Sequence, residues 1–308
     1  MNYPSRVELT DVCLRDGLQS LSSVVPIEVK FELAKKLIAC GFTSLEICSF
    51  VSPKWVPQMA DAALLAEKLT NYCVGKDVQL TALVPNLKGM ENAVAAGIRN
   101  VSYVISVSHA HNLSNVNRTP EESFLQLKEL MAHAPADVNV CLSLATSFGC
   151  PFNEEITPGK IVLAVERGMD IGISEFTLAD TIGAANPLQV ERILETVLRI
   201  LPANMLRLHL HDTQGMALAN YLTASRMGIY KFESSTAGLG GCPFAPGASG
   251  NAATEDLNNM FSAMGVETGL DPAKLLEAAD YVESNIPACI HSALWLKNFG
   301  ASKTGSCT

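Results

Sequence analysis

Short apolar runs recur along the chain, separated by stretches with helical spacing. Eight runs have the length and composition of β-strands, at residues 7–11, 44–48, 78–84, 100–107, 138–144, 175–178, 205–211 and 231–235. Apolar residues three or four apart predict helices between them, at 29–40, 60–69, 90–96, 121–133, 158–168, 187–200 and 217–227. Pro158 and Pro187 stand where first-turn prolines belong.

Strand and helix alternate eight times, which predicts a (β/α)8 TIM barrel with additional C-terminal helices. A doubly wound open sheet is the alternative, and the lack of a G-x-G-x-x-G motif after the first strand disfavours it. We expect one catalytic domain over residues 1–308, with the barrel at about 6–252 and the helical extension at about 253–300. In such barrels the active site lies at the C-terminal ends of the strands.

Composition narrows the function classes. The net charge of −9 and pI near 5.2 argue against a nucleic-acid surface. There is no apolar run of about 18 residues and no basic segment followed by an apolar one, so neither a membrane span nor a signal peptide is expected. Nine cysteines without a C-x-x-C pair indicate reduced thiols and a cytoplasmic location.

The seventh strand carries the clearest candidate chemistry. Leu206, Leu208 and Leu210 alternate with polar residues, so His209 and His211 point to the same side of the strand. The sequence Asp-Thr-Gln-Gly follows at once and predicts a loop. Two imidazoles on one face at a strand end can both reach one metal ion.

Acidic and basic residues follow the first two strands. Asp16 is a hard oxygen ligand for a divalent ion, and Arg15 can neutralise a developing enolate oxygen. A surface ion pair is the alternative. Glu46 lies within an apolar strand, where an inward carboxylate would pair with Arg15; an outward position at the solvent end is the alternative.

Two later strand ends add candidates. Asp180 is either an active-site acid or a turn and helix-capping residue. The glycine- and proline-rich stretch 237–251 predicts a loop that can close over a site. In it, Cys242 could transfer a proton and Asn251 could offer an amide oxygen, although an incidental cysteine and a turn asparagine are the simpler interpretations. A mixed nitrogen and oxygen set favours Mg²⁺ or Mn²⁺, with zinc and iron as alternatives.

These motifs together resemble the 3-hydroxy-3-methylglutaryl-CoA (HMG-CoA) lyase family of the DRE-TIM metallolyases. The resemblance runs in order from about residue 7 to residue 280. It rests on Leu-Arg-Asp-Gly-Leu-Gln, Ser-Phe-Val-Ser-Pro-Lys-Trp-Val-Pro-Gln-Met, Pro-Asn-Leu-Lys-Gly, Asp-Thr-Ile-Gly, His-x-His-Asp-Thr-x-Gly and Ala-Gly-Leu-Gly-Gly-Cys-Pro-x-Ala-x-Gly-Ala-Ser-Gly-Asn. The last of these, around Cys242, is the most specific.

The resemblance implies a metal-dependent retro-aldol cleavage of an acyl-CoA substrate to acetyl-CoA and acetoacetate. The implied ligands of the divalent cation are Asp16, His209, His211 and Asn251. Arg15 would stabilise the enolate oxygen, with Glu46 supporting it. Asp16 and His209 are candidates for taking the proton of the 3-hydroxyl, and Cys242 would help to protonate the enolate.

Substrate contacts are expected at five positions near these strand ends: Gln19, Ser49, Lys54, Thr177 and Thr181. For the CoA phosphates, Lys54 and Lys88 are two candidates. Pairing into a homodimer is common for barrels of this class, but the sequence offers no interface argument.

The sequence departs from the family pattern at Asp11, where a glutamate is usual, and on the fourth, fifth and sixth strands. Because those strand ends would contact the acyl portion, a citramalyl- or methylmalyl-type thioester is an alternative substrate. A Claisen condensing enzyme of the isopropylmalate synthase type is a second alternative. A metal-dependent amidohydrolase and a non-catalytic binding protein fit less well.

Overall fold

The computed structural model describes residues 3–241 and 250–300. Eight parallel strands close into a barrel in the order β1 to β8. Their bounds are Glu8–Asp11, Ser44–Ser49, Gln79–Leu83, Asn100–Ser106, Asn139–Ala145, Glu175–Asp180, Leu206–Leu210 and Lys231–Ser234. The predicted TIM barrel is confirmed, and each predicted strand is present to within two residues at either end.

Helices follow the strands around the barrel. Their bounds are α1 Ile27–Ala39, α2 Ala62–Tyr72, α3 Leu87–Ala95, α4 His109–Val116, α5 Pro120–His133, α6 Pro158–Ile171, α7 Pro187–Val197, α8 Ala217–Arg226, α9 Thr254–Ala263, α10 Pro272–Asn285 and α11 Ala293–Phe299. Pro158 and Pro187 begin α6 and α7 as predicted. Of the helices in the described ranges, none is long and apolar enough to cross a membrane.

Side-chain alternation on β7 and β8 divides the outer core from the barrel interior. Leu206, Leu208 and Leu210 face the helices and are at most 1% exposed. Arg207 and His209 alternate with them and face the barrel interior. On β8, Phe232 packs outward between the rings of Tyr221 and Phe261. The outward positions supply the hydrophobic core, which leaves the interior positions free for polar residues.

The barrel interior contains a small cavity lined largely by polar side chains. From the N-terminal ends of the strands upward, these include Asn139, Glu175, Arg207, Thr177, Ser143 and Glu233. Arg15 and Glu46 also line it. An interior of this kind places charged groups directly beneath the C-terminal ends of the strands.

The helices after β8 pack onto the barrel. Helix α10 contacts α1, and α9 contacts both α8 and α11. Asp256 on α9 accepts hydrogen bonds from the backbone N–H groups of Ala293 and Leu294 and so holds the start of α11. These contacts agree with the predicted extension, and its membership of one catalytic domain remains a prediction.

Candidate active site

The segment after β1 forms a single π-helical turn, Cys13–Gly17, where the sequence suggested only a strand exit. The carbonyl oxygen of Val12 accepts backbone hydrogen bonds from Arg15, Asp16 and Gly17 at 3.1, 2.8 and 3.3 Å. Such turns are frequent at functional sites. Here the widened turn presents Arg15 and Asp16 at the C-terminal end of the barrel.

Arg15 bridges two carboxylates. Its Nε and Nη2 lie 2.6 Å from Glu46 Oε2, and its Nη1 donates to Asp16 Oδ1 at 2.5 Å. Glu46 is 5% exposed and also accepts from Ser102 Oγ at 2.6 Å. The predicted inward pairing of Glu46 with Arg15 is therefore what the structure shows, and the guanidinium keeps N–H groups on Nη1 and Nη2 for another oxygen.

Asp16, His209 and His211 converge on one point. His209 Nε2 and His211 Nε2 are 3.0 Å apart, and Asp16 Oδ2 lies 3.9 and 3.7 Å from them. Two ligands at right angles on one ion, each at about 2.1 Å, would be about 3.0 Å apart. The three donor atoms form a potential metal site, and nitrogen and carboxylate donors fit a divalent cation.

The charges of the site follow from its burial and its partners. Burial would raise the pKa of Asp16, but Arg15 and the two histidines outweigh it and hold that pKa well below its ordinary value. Burial would lower the pKa of His209, but the hydrogen bond and charge of Glu233 raise it. Asp16 is thus anionic at neutral pH, as a cation ligand requires.

Asn251 lies beside this cluster, but with its amide nitrogen toward it. Its Nδ2 donates to Asp16 Oδ2 at 2.7 Å and to the Leu239 carbonyl oxygen at 3.0 Å. Gly240, at φ +149, faces this amide, and a Cβ on Gly240 would lie 2.4 Å from Nδ2. Asn251 therefore holds Asp16 in the described arrangement, and coordination through its amide oxygen remains a prediction. Cys242 lies outside the described residues.

Asp180 ends β6 and is fully buried. Its two carboxylate oxygens accept hydrogen bonds from the backbone N–H groups of Ala184 and Ala185 at 3.1 and 2.8 Å. Both oxygens thus secure the loop after β6, which supports the turn-capping interpretation. A catalytic role for Asp180 remains a prediction.

The predicted substrate-contact residues lie in different surroundings. Ser49 is buried at the end of β2, and Thr181 Oγ1 accepts from the backbone N–H of Thr146 at 2.8 Å. Thr177 lies inside the barrel in register with Arg207, two residues below the Ala179–His209 pair. Gln19 Oε1 is buried without a partner among the described residues.

The two lysine candidates for the CoA phosphates are exposed. Lys54 lies with its Nζ 5.5 Å from the centre of the Trp55 ring. Lys88 pairs with Glu91 at 3.1 Å. Neither contact reaches the cluster around Asp16, so the structure leaves both assignments as predictions.

The loops after β4 and β5 are joined by Ser108 and Glu154. Ser108 caps α4, and its Oγ donates to Glu154 Oε2 at 2.8 Å. Glu154 Oε2 also accepts from the Ala110 backbone N–H, while its Oε1 pairs with Lys160. The unusual segment 108–112 therefore forms a helix start fixed to the neighbouring loop.

Glu233 and Arg207 were missed by the sequence interpretation. Glu233 Oε2 lies 2.9 Å from His209 Nδ1, and Arg207 Nη1 lies 3.7 Å from Glu233 Oε1. The signal was available for Arg207, a charged residue that alternates with leucines in β7, as Glu46 is a charged residue in an apolar strand. It was not available for Glu233, because β8 reads Lys-Phe-Glu-Ser and is itself largely polar.

Two buried acids lie behind the turn that follows β8. Asp11 Oδ2 accepts from the Thr236 backbone N–H and hydroxyl, and Glu255 Oε1 accepts from the Ala237 N–H. Burial is the main cause that raises the pKa of Glu255 to about 8 and that of Asp11 to about 6. Ala237 itself has φ +64. The two acids therefore fix a strained turn at the start of the glycine-rich segment.

We expect Glu255→Gln to flatten the pH dependence of stability. The pKa of Glu255 is 4.5 in the unfolded chain and about 8 in the folded one, so the protonated side chain stabilises the folded state. This stabilisation is lost as the pH rises from 4.5 to about 8. One such group contributes a slope of about 1.4 kcal/mol per pH unit in that window. Urea unfolding between pH 5 and 8 measures it. Parallel curves for the variant and the unmodified chain would show that Glu255 does not titrate in this way.

Comparisons with known proteins identify the family of the chain. A family model described as HMGL-like matches residues 6–282. The hydroxymethylglutaryl-CoA lyase YngG of Bacillus subtilis is 43% identical over 287 residues, covering 93% of this chain and 95% of its own. A hydroxymethylglutaryl-CoA lyase of Arabidopsis thaliana is 42% identical over 284 residues. The match covers 92% of this chain and 60% of the Arabidopsis protein.

Solved structures give the same relationship. The crystal structure of the Bacillus subtilis HMG-CoA lyase superposes with a TM-score of 0.91 at 41% identity, covering 97% of this chain and 99% of that one. An HMG-CoA lyase from Acinetobacter baumannii, in complex with coenzyme A and 3-methylmalate, gives 0.89 at 35% identity, with coverages of 100% and 99%. The chain therefore belongs to the HMGL-like family, as these HMG-CoA lyases do, and is an enzyme of the lyase class.

Proposed function

We propose that this chain cleaves 3-hydroxy-3-methylglutaryl-CoA to acetyl-CoA and acetoacetate, with a divalent cation bound by Asp16, His209 and His211. The convergence of these three residues beside the Arg15–Glu46 pair carries the proposal. It combines a cation site with a positive group for an oxyanion, the two functions that a retro-aldol cleavage of a thioester requires.

The cation, Mg²⁺ or Mn²⁺, would supply a Lewis acid that orients the oxygens of the substrate. Arg15 has a different role. Glu46 and Asp16 hold its guanidinium in place, and its remaining N–H groups stabilise the enolate oxygen of the departing acetyl-CoA. A donor fixed before the reaction costs no reorganisation when the charge develops.

Proton transfers are assigned to Asp16 and Cys242. Asp16 accepts the proton of the 3-hydroxyl, since it is anionic at neutral pH. With Oδ2 toward the cation, the proton would go to Oδ1, which already accepts from Arg15 Nη1 and has a second lone pair. The low pKa of Asp16 makes it a weak base, so the bound substrate's hydroxyl must be acidified for the transfer. Cys242 returns a proton to the acetyl-CoA enolate, by its place in the family's motif.

The identity of the acyl group rests on relatives with that activity in their names. The relative that holds coenzyme A and 3-methylmalate supports a site for a thioester and a diacid. Gln19, Ser49, Thr177 and Thr181 are the proposed acyl contacts, and Lys54 or Lys88 the CoA contacts. A citramalyl- or methylmalyl-type thioester stays the alternative because the sequence departs from the family pattern on the fourth, fifth and sixth strands.

An acyl-CoA panel tests the proposal. Protein dialysed against EDTA should be inactive and regain activity with Mg²⁺ or Mn²⁺, and HMG-CoA should give the highest kcat/KM for acetyl-CoA release. Higher kcat/KM with citramalyl-CoA or methylmalyl-CoA would overturn the substrate and leave the mechanism. Full activity after EDTA would overturn the cation.

A further inference from the structure

Glu233 is placed to control His209 from the side away from the proposed cation. Strands β7 and β8 pair His209 with Glu233 in register, so both side chains enter the barrel at the same level. Glu233 Oε2 lies 2.9 Å from His209 Nδ1, while His209 Nε2 faces His211 and Asp16. The two nitrogens of one ring thus serve two different partners.

The chemistry of a carboxylate decides which nitrogen carries the proton. An ionised carboxylate can only accept a hydrogen bond, so the contact with Glu233 requires a proton on Nδ1. A neutral His209 ring then has its lone pair on Nε2, the atom that points at the cluster. Among the contacts described, Glu233 is the only partner of Nδ1. On the other side of the ring, Nε2 lies 3.0 Å from His211 Nε2, so a bare Nε2 on His209 accepts there only if His211 carries its proton on Nε2.

Other groups hold Glu233 in place. Arg207 Nη1 lies 3.7 Å from Oε1, the oxygen that His209 does not use, and both side chains are 13% exposed. The buried Tyr221 hydroxyl donates to the Glu233 carbonyl oxygen at 2.5 Å and accepts from the Leu210 N–H at 2.9 Å. Tyr221 therefore joins β7 and β8 beside the His209–Glu233 pair.

We propose that Glu233 is a positioning residue that fixes His209 as the Nδ1–H tautomer and aims Nε2 at the cation, with Arg207 and Tyr221 holding Glu233. The inference rests on the proposed function in treating His209 as a ligand. Partners of this kind orient metal-bound histidines, and their loss typically lowers metal affinity by about 10- to 100-fold.

The tautomer is tested by two-bond ¹H–¹⁵N NMR of the full chain labelled on its six histidines, with a His209→Asn spectrum for assignment. At a pH high enough to keep the His209 ring neutral, we expect Nδ1–H in the unmodified chain. Glu233→Met removes the hydrogen-bond acceptor and should move the proton to Nε2. Glu233→Gln replaces the carboxylate with an amide whose oxygen can still accept, so it should retain Nδ1–H. An unchanged His209 tautomer in Glu233→Met would overturn the inference.

Cation affinity is tested by titrating Mn²⁺ and measuring free Mn²⁺ by EPR. Glu233→Met should raise the Kd about 10- to 100-fold, and Glu233→Gln should fall between it and the unmodified chain. An unchanged Kd in Glu233→Met would overturn the inference. Because Glu233→Met leaves Arg207 as a buried charge without its carboxylate, the double variant Arg207→Met/Glu233→Met removes both charges and serves if the single variant fails to fold.

These readouts separate the inference from the proposed function. Neither uses turnover, so a chain that binds Mn²⁺ and shows the predicted tautomer shift but does not cleave HMG-CoA contradicts the substrate and supports the role of Glu233. An unmodified chain that binds no Mn²⁺ contradicts both the ligand set and the inference.

Discussion

Arg15→Gln lowers kcat/KM for HMG-CoA by at least about 100-fold, the usual effect of losing one preorganised donor at a developing oxyanion. The reason is that Glu46 and Asp16 together hold the positively charged guanidinium of Arg15 at the C-terminal end of the barrel. The loss should fall mainly on kcat, since the enolate charge develops only during cleavage. Steady-state kinetics measure it.

Arg15→Lys is the matched control. Lysine keeps the charge but has one donor group in place of the planar fork that contacts both carboxylates. Compared with Arg15→Gln, Arg15→Lys should be more stable, because Glu46 and Asp16 keep a positive charge beside them. It should recover little of the turnover. If Arg15→Gln retains activity within tenfold of the unmodified chain, the enolate is stabilised by another group.

A double-mutant cycle with Glu46→Gln identifies how Glu46 acts. Glu46 touches Arg15 and Ser102, both from within the barrel. If its role is to hold Arg15, the double variant should be no slower than Arg15→Gln alone, and the two effects should not add. Additive losses would indicate a direct role for Glu46.

The fold followed from the sequence because the strand pattern is local. In β7 the leucines at 206, 208 and 210 must face the helices, which forces His209 into the interior and fixes the histidine pair at once. The order of the strands and the site at their C-terminal ends follow from the closed barrel. These inferences need no knowledge of contacts between distant residues.

What the sequence left open depends on side-chain direction and distant pairing. Glu233 is 24 residues from His209, and only the register of β7 with β8 brings the two together. Asn251 was identified, but not that its amide nitrogen faces Asp16. The pattern offered Asp180 two roles, and its two loop hydrogen bonds became visible only in three dimensions.

Asp16→Asn should abolish the stabilisation of the protein by a divalent cation. Asp16 supplies the only carboxylate among the three donors that the described residues bring together. An asparagine keeps the size and can still meet Arg15, but it offers a neutral oxygen to the ion. A ligand at 100 times its Kd stabilises the folded state by about 2.7 kcal/mol, so the unmodified chain should melt at higher temperature with Mn²⁺ and the variant should not.

The cation-free proteins give a second test with a defined sign. The pKa of Asp16 is held below its ordinary value of 3.8, so its ionised form contributes stability above that pH, which is lost as the pH falls through the lower folded value. Asp16→Asn should therefore be less stable than the unmodified chain at pH 7, with the difference shrinking in acid. Thermal melts of both proteins in EDTA, at pH 7 and at an acidic pH below 3.8, measure this difference.

Asp180→Asn makes the same chemical change at another buried carboxylate close to His211. Both carboxylate oxygens of Asp180 accept hydrogen bonds from the backbone N–H groups of Ala184 and Ala185. Its replacement should therefore alter stability but preserve the rise in melting temperature with Mn²⁺. If Asp16→Asn keeps the full Mn²⁺-dependent rise, Asp16 is not a ligand. If Asp180→Asn loses that rise while Asp16→Asn keeps it, the cation lies nearer β6, and the roles of the two aspartates are exchanged.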